Sequence, residues 1–183
     1  YDLWNTIKFI TAENLKGDVL EFGVWKGGAL ELACHALNHF KGNNKVWGFD
    51  TFEGHPEPSL SETDVWGNNM NARYHKEVDE NGSWVKSHYD SVVENLLQIR
   101  PDVTLRKGEV SSQTNEPEIE RISILRLDMD WYEPTLAALE NFYDRIETGG
   151  SIIIDDYGHH SGARKATDEF FAHHKRHLHF RHV

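Results

Sequence analysis

Ile122-Ser-Ile-Leu-Arg-Leu-Asp-Met-Asp130 is a short run, apolar almost throughout, that ends abruptly in acid. Ser151-Ile-Ile-Ile-Asp-Asp156 is built the same way. A strand that is apolar on both faces belongs inside a parallel sheet, with helices covering it above and below. Both runs therefore read as central strands, Ile122–Leu127 and Ser151–Ile154, whose carboxyl ends deliver aspartates to one end of the sheet.

The neighbouring segments fit that sheet. Asp18-Val-Leu-Glu-Phe-Gly-Val24 reads as a buried strand running into a glycine turn. A helix follows from Gly28 to Phe40, with Leu30, Ala33, Leu37 and Phe40 on one face. Lys45–Asp50 and Asp102–Arg106 read as further strands. Helices are predicted within Tyr1–Leu15, over Trp84–Ile99, from about Pro134 to Ile146, and over Gly162–Lys175. Thr148-Gly149-Gly150 reads as the stop of the third of these, and Leu178–Val183 as a final strand-like piece. Thr51–Ser83 is polar and without sustained period, which predicts a lid or binding loop. Alternating strands and helices predict one domain over 1–183, an α/β fold with a doubly wound, mainly parallel sheet and helices on both faces.

Composition narrows the partners. The 183 residues carry a formal net charge of -11, a field that repels phosphate backbones and argues against nucleic acid. No stretch is apolar for long enough to span a bilayer, and no leader precedes the first helix, so a cytoplasmic location is the default expectation. The single cysteine, Cys34, has no internal disulfide partner and reads as a small buried residue.

In sheets of this kind, ligands bind beyond the carboxyl ends of the strands. There the chain offers Glu21-Phe-Gly23, Asp50, Asp128-Met-Asp130 and Asp155-Asp156. The turn Glu21–Gly28 lets a ligand approach the backbone, although it lacks the G-x-G-x-x-G dinucleotide pattern. Glu21 is a carboxylate in an apolar strand and needs a partner. Asp50 is placed to accept hydrogen bonds from the hydroxyls of a ribose, or else to cap the loop at Thr51; its spacing from the glycine turn fits any ribosyl nucleoside. The crowded aspartates repel one another unless a cation joins them, and all-oxygen ligands favour Mg²⁺ over zinc. Asp130 can alternatively cap the helix that follows it. Of the 12 histidines, His173, His174, His177, His179 and His182 crowd the C-terminal end, where irregular spacing and the lack of a cysteine favour a solvated face over a tetrahedral metal site. His159 and His160, just after Asp156-Tyr157-Gly158, stand at the expected mouth of the site, where either can touch substrate or act as a base.

Four motifs in this order, Asp18–Gly28, Gly48-Phe-Asp-Thr-Phe-Glu-Gly54, Leu127-Asp-Met-Asp-Trp-Tyr-Glu-Pro-Thr135 and Gly149-Gly-Ser-Ile-Ile-Ile-Asp-Asp-Tyr-Gly158, resemble the macrocin O-methyltransferase family. The likeness runs from about Asp18 to Phe171. It implies a Rossmann-like class I methyltransferase fold and transfer of a methyl group from S-adenosylmethionine to a hydroxyl, with Mg²⁺, on a glycoside of a natural product or a polysaccharide. It implies Glu21, Gly23, Gly27, Asp50 and Glu109 around the cofactor. Asp128, Asp155 and Asp156 would hold the metal, with Asp130 the competing first ligand. Asp128 is the implied general base, and His160 is retained beside it as a catalytic candidate. Members of the family carry a longer N-terminal region, which helps build an oligomer, and end in a strand hairpin; this chain has little before its first strand and stops where the first arm would lie.

Two rivals stand beside that resemblance. Asp128-Met-Asp130 is also the D-x-D pattern of metal-dependent glycosyltransferases that use nucleotide-sugars, and of aspartyl-nucleophile phosphatases. A methyltransferase-like domain can also serve as a catalytically silent binding module.

Overall fold

A computed structural model of the chain describes residues 2–112 and 116–174. Its sheet holds β1 (Asp18–Phe22), β2 (Val46–Asp50), β3 (Thr104–Lys107), β4 (Ile122–Leu127) and β5 (Ile146–Ile154) in the order β3-β2-β1-β4-β5. Every pairing is parallel. The chain builds outward from β1 to β3, then returns to the other side of β1 for β4 and β5. The crevice where the winding reverses therefore lies between β1 and β4, where such sheets bind ligands.

Side chains alternate along each strand and divide the core in two. Val19, Val46 and Ile124 pack with α1 (Asp2–Ala12), α2 (Gly28–Phe40) and α4 (Tyr89–Ile99) on one face. Leu20, Phe22, Trp47, Phe49, Leu125 and Leu127 pack on the other face with Ala138, Leu139 and Phe142 of α5 (Tyr132–Phe142) and Phe170 of α6 (Ser161–His173). Each fully buried side chain of this size contributes about 1.5–3 kcal/mol. All of β4 is buried, as expected of an interior strand, whereas β5, also read as central, is the edge strand among the described residues and its apolar side chains are only half-buried. No helix among the described residues is long and apolar enough to cross a membrane.

Three boundaries differ from expectation. The polar segment 51–83 holds a helix, α3 (Met70–Asn81). Only Met70 and Asn71, at its start, are buried, so no apolar stripe betrays it. Its signature is capping instead: the Asn69 side chain accepts from Ala72 N–H at 2.8 Å. The helix read as starting at Trp84 begins at Tyr89. Finally, α5 ends at Phe142, a 3₁₀ turn spans Tyr143–Arg145, and β5 starts at Ile146 rather than Ser151. Gly149-Gly150 is not a helix stop but a bulge within β5, where the register against β4 jumps from Ile122↔Ile146 to Ile124↔Ser151. A Cβ on Gly150 would lie 2.9 Å from Ile146 Cγ2 and 3.1 Å from Ser123 O, so the bulge has no room for a side chain. The expected strand Leu178–Val183, with His177, His179 and His182, lies outside the described residues.

Candidate functional site

The β1–α2 turn sits hard against the end of β4. Gly23 has φ +85°, and a Cβ there would fall 1.8 Å from the carbonyl oxygen of Asp128. Gly23 N–H donates to Phe49 O and Asp128 N–H to Phe22 O, both at 2.9 Å, which ties β1 to both neighbours at this level. Asp50 completes the turn. Its Oδ2 accepts from Trp25 N–H at 2.7 Å and its Oδ1 from Phe52 N–H at 2.6 Å, and both donors have positive φ. Asp50 thus caps the loop after β2 and also clamps the glycine turn.

Above these strand ends lies a cavity of about 580 Å³, a size ordinary for a small-molecule site. Gly23, Asp50, Glu109, Asp128 and Asp130 all contribute to its walls, together with His55. Glu21, Gly27, Asp155 and Asp156 are not among them. Gly27 forms the start of α2 against Val92. Glu21 is buried and finds the partner its position demanded in Arg126, which faces it at the same register of β4. The other bonds of that guanidinium go to Asp128 Oδ2 and Asp155 Oδ1, each at 2.8 Å. Burial pushes the pKa of Glu21 up, with the charge of Arg126 pulling against it. Burial likewise raises Asp128, again opposed by Arg126.

The aspartates converge as two overlapping groups. Asp128, Asp155 and Asp156 form one, and Asp130, Asp156 and His160 the other, with the candidate ligand atoms of each within 4.8 Å of one another. Asp156 belongs to both. Burial, then the neighbouring Asp130 and Asp128, push its pKa up to about 10. Its Oδ2 is buried and accepts no hydrogen bond. Asp130 goes the other way: burial raises it, but hydrogen bonds from His55 and Asp156 and the charges of His55 and His160 outweigh that and hold it at about 2. Asp130 sits at φ +62°, with Oδ2 3.0 Å from His55 Nε2 and 3.5 Å from His160 Nε2. His160 is buried, is pushed down chiefly by that burial, and is not among the cavity walls.

The sequence model of the macrocin-O-methyltransferase (TylF) family matches residues 1–183. The chain belongs to that family. It is 30% identical over 170 residues to the demethyldecarbamoylnovobiocin O-methyltransferase of Streptomyces niveus, covering 91% of this chain and 62% of the relative. It is 29% identical over 157 residues to the mycinamicin III 3''-O-methyltransferase of Micromonospora griseorubida, covering 85% and 61%. The chain thus spans about three fifths of the length of these curated relatives. The solved O-methyltransferase NovP superposes with a TM-score of 0.75 at 26% identity, over 93% of this chain and 69% of that one. The sheet accordingly has the class I methyltransferase fold, as the motifs implied.

In this member of the macrocin-O-methyltransferase family, two features of the site escaped the sequence reading. Arg126 had a usable signal, a lone basic residue in an apolar strand, the same argument that singled out Glu21. His55 had none, because it sits in the polar segment after β2. That segment is docked onto the helices beyond β4 and β5. Thr63 N–H donates to Ser161 Oγ at 2.8 Å, and Ser161 N–H donates back to Thr63 O at 2.9 Å. Glu62, not Asp130, serves the start of α5: its Oε1 accepts from Tyr132 N–H at 3.1 Å.

Proposed function

We propose that the chain is an S-adenosylmethionine-dependent O-methyltransferase acting on a hydroxyl of a sugar carried by a natural product. The observation that carries this reading is that Gly23 and Asp50, suited to a ribosyl cofactor, line the same cavity as Asp128 and Asp130. Family membership supports it, as do the relatives, whose names describe O-methylation of antibiotic molecules.

Each part of the site has a task in that reaction. Each oxygen of Asp50 accepts one backbone N–H and keeps a lone pair for a ribose hydroxyl. Gly23 leaves the backbone open to the cofactor, and Glu109 lies on the wall reached from the end of β3. Glu21 and Gly27 serve from behind the wall, one through Arg126 and one through the start of α2. S-adenosylmethionine brings a methyl group already activated on sulfur, so the protein has only to place the acceptor oxygen in line with it.

A divalent cation fits the acidic strand ends. The orphaned Oδ2 of Asp156 and the oxygen-only set Asp128, Asp155 and Asp156 are the donors a hard ion such as Mg²⁺ takes. Such an ion lowers the pKa of a bound hydroxyl. Arg126 holds one oxygen of Asp128 and one of Asp155, leaving the other oxygen of each for the ion.

The test is calorimetric titration with S-adenosylhomocysteine, with and without Mg²⁺, on the wild type and on Asp50→Ala, followed by turnover on a panel of rhamnosides and related glycosides. Micromolar binding, weakened at least tenfold by Asp50→Ala, and turnover abolished by EDTA without unfolding, are expected. Absence of binding to the folded chain, with binding of UDP instead, would replace this reading by the nucleotide-sugar one. Full turnover in EDTA would remove the metal from it.

A further inference from the structure

We propose that the hairpin tip at Asp64–Gly67, which holds Val65 and Trp66 out to solvent beside the acidic strand ends, receives the apolar aglycone of the acceptor, with Trp66 as the specificity-determining residue. The inference rests on the O-methyltransferase reading above and names the part of the acceptor that this reading leaves open.

The three most exposed large apolar side chains among the described residues lie close together in the polar segment after β2. They are Leu60 at 80%, Trp66 at 75% and Val65 at 55%. Single exposed apolar residues are ordinary, but several on one short stretch mark a contact surface. The backbone beneath them is braced. Thr63 pairs with Asn69 in antiparallel fashion, and Met70 N–H donates to Glu62 O at 3.0 Å. Asp64 N–H donates to Asn68 O at 3.1 Å, and Gly67 N–H, at φ +83°, donates back to Asp64 O at 3.0 Å. The Asp64 side chain closes the turn, with Oδ1 accepting from Trp66 N–H at 3.0 Å and from Asn68 N–H at 2.8 Å. Val65 and Trp66 thus fill the two central positions of a turn, where small or polar residues dominate. A local rule broken on so well-braced a turn points to function rather than to folding.

The tip stands next to the strand end that carries the acidic residues. The Trp66 ring meets His159 edge to face, with 5.0 Å between centroids. His159 N–H donates to Asp156 O at 3.0 Å, and Asp64 bridges to His160. A sugar held by its hydroxyl at the end of β5 therefore has its substituent within reach of the indole.

The chemistry of the tip selects what it takes. The polar groups beside Trp66 are spent on the turn itself, since Asn68 Nδ2 donates to Asp64 Oδ2 at 2.8 Å. A sugar would need such groups for its hydroxyls, whereas a flat apolar ring system needs none and gains by covering the indole. A second copy of the chain fits less well. Three side chains expose on the order of a few hundred Å², against roughly 800 Å² per partner in a stable interface.

Kinetics on two acceptors that share one sugar test this, with the methyl and the naphthyl glycoside of the panel sugar that the wild type turns over fastest. The wild type should show a KM at least about tenfold lower for the naphthyl glycoside, at similar kcat. Trp66→Ala should shrink that preference to within about threefold, with Trp66→Phe in between. Melting temperature and S-adenosylhomocysteine affinity report whether each variant is folded. Equal KM values in the wild type, or a preference that survives in Trp66→Ala, overturn the proposal alone. So does a drop in sedimentation mass on Trp66→Ala with the preference intact, which would give the tip to a second copy of the chain. A wild type that binds no S-adenosylhomocysteine, or methylates no member of the panel, overturns it together with the activity on which it rests.

Discussion

Glu21 and Arg126 face each other across β1 and β4 at one register, both buried, and the guanidinium carries that contact on to Asp128 and Asp155. One buried cation thus links β1 to the acidic strand ends. Breaking a buried pair leaves an uncompensated charge, which costs far more than the pair contributes. Arg126→Met should lower stability by about 3–5 kcal/mol, and Glu21→Gln/Arg126→Met should recover a large part of it. Urea midpoints of the single and double variants check this. A double variant no more stable than Arg126→Met would mean that packing, not charge, sets the loss.

The close approach of Gly23 to Asp128 makes a second prediction. With 1.8 Å between a new Cβ and the Asp128 carbonyl oxygen, Gly23→Ala has to push β4's end away or adopt a different turn. A cost of roughly 3 kcal/mol or more is expected, together with loss of S-adenosylhomocysteine binding. Circular dichroism melts and calorimetry measure both, and a variant with unaltered melting and binding would contradict the geometry.

The acidic cluster ties stability to pH, with opposite signs at two residues. Between its ordinary 3.8 and about 10, Asp156 keeps a proton in the folded chain that the unfolded chain has lost. Its contribution to stability therefore falls as pH rises across that window. Asp130, held at about 2, contributes stability that is present above 3.8 and lost as pH falls through about 2. Urea midpoints in EDTA should decline from pH 5 to pH 9, and Asp156→Asn should flatten the decline. Mg²⁺ has to displace that proton, so its apparent affinity should rise with pH over the same range.

Glu62 fastens the segment after β2 to the start of α5, and the Thr63–Ser161 pair fastens it to α6. Glu62→Ala removes the acceptor for Tyr132 N–H and should cost about 1–2 kcal/mol. Limited proteolysis should then cut within residues 57–69 about ten times faster. Equal cleavage rates would show that other contacts hold the segment down.

Local signals in the sequence determined the sheet and the place of its ligand site. Doubly apolar runs such as Ile122–Leu127 can only be covered strands, and aspartates at their ends can only face the open end of the sheet. Gly23, Asp50, Glu109 and Asp128 line one cavity, while Glu21, Gly27, Asp155, Asp156 and His160 do not. What the tertiary structure alone decided depends on contacts between residues far apart in the chain, which leave no periodic trace. Arg126 meets Glu21 across 105 residues because the strand order brings β4 beside β1 in register. His55 reaches Asp130 because a polar segment is tied down at Glu62 and Thr63, by hydrogen bonds rather than by a buried apolar stripe. Burial and repulsion then divide otherwise similar aspartates, leaving Asp130 ionised and Asp156 protonated, a difference that belongs to the packed site and not to the residue type.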